Sequence, residues 1–188
     1  MTNTGLATFG RPVDEAYFSV ALASSSPTIP TTSNATLTGY ETVRVSEDGI
    51  TPAVDLGKGD PVKDWAKKDV LPSQSDPSAT LAVPIIDNSV AAKKLKYGAA
   101  KVDSNGAAVF DGTTDTWVVI VDELHNDSDG EPTQLVRTVY PACVPQELEL
   151  GTHTRGDIIV DTVTFQLLYD ETIGGYFKEL PPVAVSNG

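Results

Sequence analysis

Side chains able to do chemistry are few in this chain and poorly grouped. Two histidines, His125 and His153, and one cysteine, Cys143, stand among 26 acidic and 13 basic residues. No Gly-x-Ser-x-Gly elbow lifts a serine out of a strand, and no Gly-x-x-x-x-Gly-Lys loop offers its backbone to phosphate. Gly57-Lys58-Gly59 is only a pair of loop glycines. A zinc centre on two imidazoles needs carboxylates at supporting spacing, which the sequence does not provide. The run from His125 to Gly130 has the flavour of a calcium loop, but it puts histidine where the first aspartate belongs and Val136 where the bidentate glutamate belongs. A single cysteine forms neither an intramolecular disulfide nor a thiolate cluster. The neighbouring carboxylates Glu47-Asp48 and Asp122-Glu123 are of the type that moves protons, yet so acidic a chain contains such neighbours by chance. The sequence therefore reads as a non-enzyme with no catalytic residues, no cofactor and no metal.

Charge narrows the partners. At −13 and a pI near 4.3, the chain is unsuited to hold nucleic acid by neutralising phosphate, which takes clustered Lys and Arg. It can still handle DNA by repelling it. The first residues, Met1-Thr2-Asn3-Thr4-Gly5, lack the basic and apolar regions of a signal peptide, and no apolar run approaches the roughly 18 residues of a spanning helix. The expectation is a soluble, non-secreted protein with no membrane partner. A length of 188 residues suits one domain, long enough to remove roughly 70% of its unfolded surface from water.

The elements that would position any site are mostly strands. Residues 1–15 read as a polar arm. Phe18, Val20 and Leu22 alternate with smaller residues, the period of a half-buried strand. Ser24 to Thr36, rich in Ser, Thr and Pro, reads as an extended connection, because proline donates no hydrogen bond and hydroxyls compete with the backbone. Tyr40 to Ser46 reads as a strand stopped at Asp48-Gly49. From Gly49 to Pro77 the density of Gly, Pro and charge predicts one long loop carrying a lone Trp65, a typical interface anchor or else a cap on its own core. Thr80 to Ile86 is a strand whose Pro84 suits an edge or bulge. Asp87 to Tyr97 is a helix of about three turns, with Asp87, Asn88 or Ser89 as N-cap and Gly98 as its stop; Ala91 and Leu95 share a face, and Lys93 and Lys94 face solvent.

Further on, turns at Asn105-Gly106 and Asp111-Gly112 flank a short strand, Ala107 to Phe110. Thr116 to Val121 is apolar on both faces, as a doubly covered central strand should be. Asp129-Gly130 turns it back into Leu135 to Tyr140 as a hairpin. Glu147-Leu148-Glu149-Leu150 alternates acid and leucine, so both leucines are expected in the core. The last long strand sets Val163, Phe165, Leu167 and Tyr169 on one face and Thr162, Thr164 and Gln166 on the other. The fold class expected is mainly β, an antiparallel sandwich or barrel with one flanking α-helix and a long loop.

Several of these segments together resemble the major tail tube proteins of long-tailed, siphovirus-type bacteriophages. The resemblance spans roughly residues 15 to 182 and is carried by Val45-Ser46-Glu47-Asp48-Gly49-Ile50-Thr51, by Asp64-Trp65, and by Ile86-Asp87 with Tyr97-Gly98. A further stretch runs from Pro141 through Glu147 to Asp157-Ile158 and the final Thr/Val-rich strand. The order of strand, Ser/Thr/Pro arm and Leu37-Thr38-Gly39-Tyr40 is similar to the opening of such proteins. One departure is Ala66-Lys67-Lys68 after the tryptophan, where small glycines are usual. The chain also stops soon after Pro181-Pro182, without the immunoglobulin-like decoration of some relatives.

The resemblance implies a structural virion protein, assembled in the bacterial cytoplasm, that forms homohexameric rings stacked into a tube through which DNA leaves the particle. It implies a single tail tube domain with an N-terminal arm (1–15), a long inter-ring loop (49–79) and a C-terminal tail (183–188). Subunit and ring contacts fall on Glu47, Asp48, Gly49, Asp64, Trp65 and Val70. Partners are further copies of the chain, the tape measure, tail terminator and distal tail proteins, and genome DNA passing without specific binding. The polar strand faces, Glu147 and Glu149 with Thr162, Thr164 and Gln166, are the candidates for the lumen; the outer wall is the alternative. A soluble sandwich-type binding module of adhesin or carbohydrate-binding type is the competing reading, and a type VI secretion tube subunit or a tail terminator is the nearest related one.

Overall fold

A computed structural model describes residues 10–12, 17–57, 62–63, 69–71, 76–126, 132–153 and 155–185. In chain order the strands are β1 (Gly10–Pro12), β2 (Phe18–Leu22), β3 (Glu41–Thr42), β4 (Thr51–Asp55), β5 (Val62–Lys63), β6 (Asp69–Leu71) and β7 (Ser78–Ile85). The helix α1 (Val90–Tyr97) follows, then β8 (Trp117–Asn126), β9 (Pro132–Glu149), β10 (Asp161–Leu167), β11 (Lys178–Glu179) and β12 (Val183–Ala184). The fold is mainly β, with one large antiparallel sheet and α1 as the single α-helix among the described residues. Ten strands form that sheet in the order β3-β2-β8-β9-β10-β7-β4, with β1 added to β8 and with β11 and β12 added to β9; β5 and β6 pair separately.

Apolar residues on both sides of β8 explain its central place. Trp117, Val119 and Val121 join Phe18, Val20, Leu81, Val83, Phe165 and the helix residues Ala92 and Leu95 in the main core, whereas Val118 and Ile120 point the other way onto Val139 and Leu180. Each such side chain, fully buried, contributes about 1.5–3 kcal/mol. β2 is likewise covered on both faces, since Ser19 and Ala21 are buried along with Phe18 and Val20; small residues on its second face leave room for close cover.

β9 is the longest strand, at 18 residues, although Pro141 and Pro145 lie within it. Both prolines sit beside register shifts, one against β8 between Trp117 and Val119 and one against β10 between Thr164 and Phe165. A bulge leaves a ladder position unpaired, which accommodates a residue with no N–H.

Ser89 caps α1 by accepting the Ala92 N–H at 3.2 Å, and Gly98, at φ 92°, ends it by donating to Lys94 O. The helix has 8 residues, shorter than expected, because Asp87 and Ser89 tie the chain into a cap first: Asp87 accepts both the Ser89 N–H and its hydroxyl. Its lysines are not idle. Lys93 donates to Gly106 O at 2.7 Å, Lys94 pairs with Glu41 at 3.6 Å, and Lys96 is buried.

Other expectations change. The arm is not without partners, since Gly10–Pro12 pairs with Glu123–His125. The tail contains β12, which pairs with Gln134 and Leu135. Within the expected loop of residues 49–79, β4 pairs with Ser78–Ala82 of β7, and β5 pairs with β6. Pro52 does not prevent this, because β4 is an edge strand and needs hydrogen bonds on one side only. The strand expected over Tyr40–Ser46 is reduced to β3 and a single bridge from Val45 to Ile85. Ala107–Phe110 makes only one bridge, Ala108 to Val102, and leaves Val109 and Phe110 exposed. Leu148 packs on the core but Leu150 lies just past the end of β9 and is exposed; Tyr169 is exposed too, because β10 ends at Leu167.

Candidate functional site

The polar residues singled out on the last strands come together as one surface. Across β9 and β10, Glu149 stands opposite Thr162, Glu147 opposite Thr164, and Val144 opposite Gln166. On the other side of β10 the same row continues into β7, with Thr162 opposite Pro84, Thr164 opposite Ala82 and Gln166 opposite Thr80. β4 completes it with Thr51 against Ala82, Ala53 against Thr80 and Asp55 against Ser78. All these positions have the parity opposite to Val163, Phe165, Leu81 and Val83, which fill the core. Glu147, Glu149, Thr51 and Asp55 are exposed, and Thr162, Thr164 and Gln166 are half-buried. Gln166 braces the face by donating from Nε2 to Ala79 O at 3.2 Å. None of the named positions is lysine or arginine. Thr51, Asp55 and Ser78 were hidden from sequence reasoning by the loop reading of residues 49–79; Thr-Pro-Ala-Val-Asp following a glycine corner was the available signal.

At the edge of this surface β4 hydrogen-bonds only to β7 among the described residues. Val54 is 50% exposed and Leu56 66% exposed. Val54 has core parity, opposite Ala79, yet is half exposed. Among the described residues the strand thus combines an unpaired backbone edge with partly exposed apolar side chains.

The Glu47-Asp48-Gly49 corner is held locally. Gly49 adopts φ 78° and donates to Ser46 O at 3.1 Å, while the Ser46 hydroxyl donates to Asp48 Oδ2 at 3.0 Å. Glu47 and Asp48 are exposed. The chain before the corner leaves β2, where Val43 donates to Phe18 O, and then lies against the end of β7: Ser46 donates to Pro84 O and Ile86 to Arg44 O. The corner is thereby brought beside Ile86-Asp87, its companion in the resemblance. Burial pushes the Asp87 carboxyl up, but the hydrogen bonds from Ser89, Arg44 and Asn88 outweigh it and leave its pKa below the usual value. Val70 belongs to β6. Asp64 and Trp65 lie outside the described residues.

Two largely buried ion pairs were not foreseen. Asp122 and Arg137 face each other across the β8–β9 ladder, both buried, with Nε to Oδ1 at 2.6 Å and Nη2 to Oδ2 at 2.8 Å. Asp122 is therefore occupied, and its sequence neighbour Glu123 turns to the opposite side, 3.5 Å from His125 Nε2. Lys96 Nζ lies 2.8 Å from Asp161 Oδ2, beside a cleft of about 380 Å³ walled by Ile86, Tyr97, Leu150 and Ile158. Cys143 is fully buried and burial pushes its thiol far up, so it supplies no thiolate. Among the described residues no group of three His, Cys, Asp or Glu is placed to hold a metal, and no helix is long and apolar enough to cross a membrane.

No protein-family model matches the chain, and no curated protein matches it either.

Proposed function

We propose that this chain is a tube-forming structural subunit of the kind that builds the tails of long-tailed bacteriophages, assembling as hexameric rings that stack into a conduit for genome ejection. The observation that carries this reading is the row free of lysine and arginine that runs from residues 144–149 of β9 across β10 and β7 to β4, an edge strand among the described residues. Edge-to-edge contact between copies would satisfy that edge and shield Val54, and a heterologous contact repeated six times closes a ring. The shared face would then line the channel. Carboxylates and hydroxyls there repel or slide past phosphate, whereas lysines would hold it by releasing counterions. Glu47, Asp48, Gly49, Asp64, Trp65 and Val70 are the proposed contacts between subunits and rings, and the resemblance of the surrounding segments supports their choice. In this reading the protein is no enzyme, acts in the virion, and meets tape measure, terminator and distal tail proteins at the tube.

Negative-stain electron microscopy of the purified protein, across concentration and salt, tests the proposal. Hollow rings or tubes with sixfold end views are expected. A monodisperse monomer under every condition overturns it and favours the binding-module alternative.

A further inference from the structure

Over β8 and the first half of β9, the second face of the sheet is covered by residues 27–40, which carry no regular secondary structure. Ile29, Leu37 and Tyr40 of this strap pack over Val118, Ile120, Val139 and Leu180. Its fixed points are polar. Arg137 Nη1 donates to Ala35 O at 2.6 Å, and Ser33, fully buried, donates from its hydroxyl to Pro181 O at 2.8 Å. The segment that Ser33 grips is itself held by Arg137, whose backbone O accepts the Leu180 N–H at 2.8 Å. Strap, C-terminal segment and Arg137 therefore close a cycle of three contacts. The guanidinium at its centre is held in orientation by both oxygens of Asp122.

We infer that residues 27–40 and 178–184 form a two-part cover that opens off the sheet as one unit, without global unfolding, with Arg137 as the latch. In a closed cycle the loss of one contact leaves the other two to hold partners that have gained freedom, so the members respond together. The strap has few apolar anchors and no ladder, and β11 and β12 pair with β9 over only two residues each, the mark of segments that open below the global barrier, whereas β8 beneath is paired on both sides. Opening would bare Val118, Ile120 and Val139. The inference does not depend on the assembly reading.

Amide exchange followed by NMR on the full chain tests it at three probes. These are Ala35, whose N–H donates to Thr32 O, Leu180, whose N–H donates to Arg137 O, and Ile120 in the central ladder. Ser33→Ala removes one hydrogen bond and should speed Ala35 and Leu180 together by about fivefold, with Ile120 unchanged. The paired change Asp122→Leu with Arg137→Met removes the latch without stranding a buried charge. It should speed Leu180 as well as Ala35, although the backbone acceptor of Leu180 is retained. Acceleration of Ala35 alone in the paired variant, no response of either probe to Ser33→Ala, or Ile120 accelerating in step with them would each overturn the inference. Should the paired variant fail to fold, Ser33→Ala decides.

Discussion

Asp161 opens β10 with both carboxylate oxygens engaged, one by Lys96 Nζ at 2.8 Å and the other by the Gly151 N–H at 2.9 Å. Burial pushes its pKa up, but the Lys96 hydrogen bond, the Gly151 N–H and the lysine charge outweigh this and leave it lowered. A carboxyl whose folded pKa lies below its unfolded value adds stability that is present above the unfolded value, near 4, and is lost as pH falls through the folded one. Asp161→Asn should therefore cost about 2–3 kcal/mol at pH 7, because Lys96 is left buried without its counter-charge. Chemical denaturation at a series of pH values should show the gap from wild type shrinking below pH 4; a gap constant down to pH 2 would show the ion pair to be irrelevant. Helical spacing alone could not assign Lys96 this role. Its partner lies 65 positions away, and the sequence offers no local mark that distinguishes it from Lys93 and Lys94.

At the scale of elements, α1 was legible because caps are local: Ser89 and Gly98 act on N–H and C=O groups within a few residues. β8 was legible because an unbroken apolar run has no polar face to expose. β4 was not, since Pro52 and its glycine-rich surroundings resemble a loop, and only the vacant side of β7 makes a strand of it. This edge is also where the assembly reading is most exposed to test. Val54→Lys places a charge on a half-exposed side chain of a strand that, among the described residues, is an edge strand, a standard barrier to further pairing. Thermal melting of the monomer should move little, because Val54 is already half exposed. Sedimentation should show polymer reduced or abolished. Undiminished polymer would mean that β4 is not at the subunit contact.

For the whole molecule, net charge and surface distribution say different things. A formal charge of −13 keeps copies soluble and apart, but the sheet face decides what a threaded polyanion would meet. If a map of the assembled tube shows Glu147 and Glu149 pointing inward, Glu147→Lys with Glu149→Lys should still assemble, since both side chains are exposed in the subunit. Genome ejection should slow or stall, most strongly at low salt where screening is weakest. Wild-type ejection through a tube shown to carry those lysines in its lumen would remove the electrostatic account.

The sequence by itself determined the mainly β class, the capped helix and the central strand, together with the split of Thr162, Thr164 and Gln166 from Val163, Phe165 and Leu167. Each of these follows from periodicity or capping within about ten residues. Only the tertiary structure decided that Glu147 meets Thr164, that β4 extends the same face, and that Asp122 and Arg137 lock a strap from 102 positions away. Those contacts are fixed by which strands find each other and by bulges at Pro141 and Pro145 that reset the register. A one-residue slip turns every side chain to the opposite face, so no local pattern carries that information.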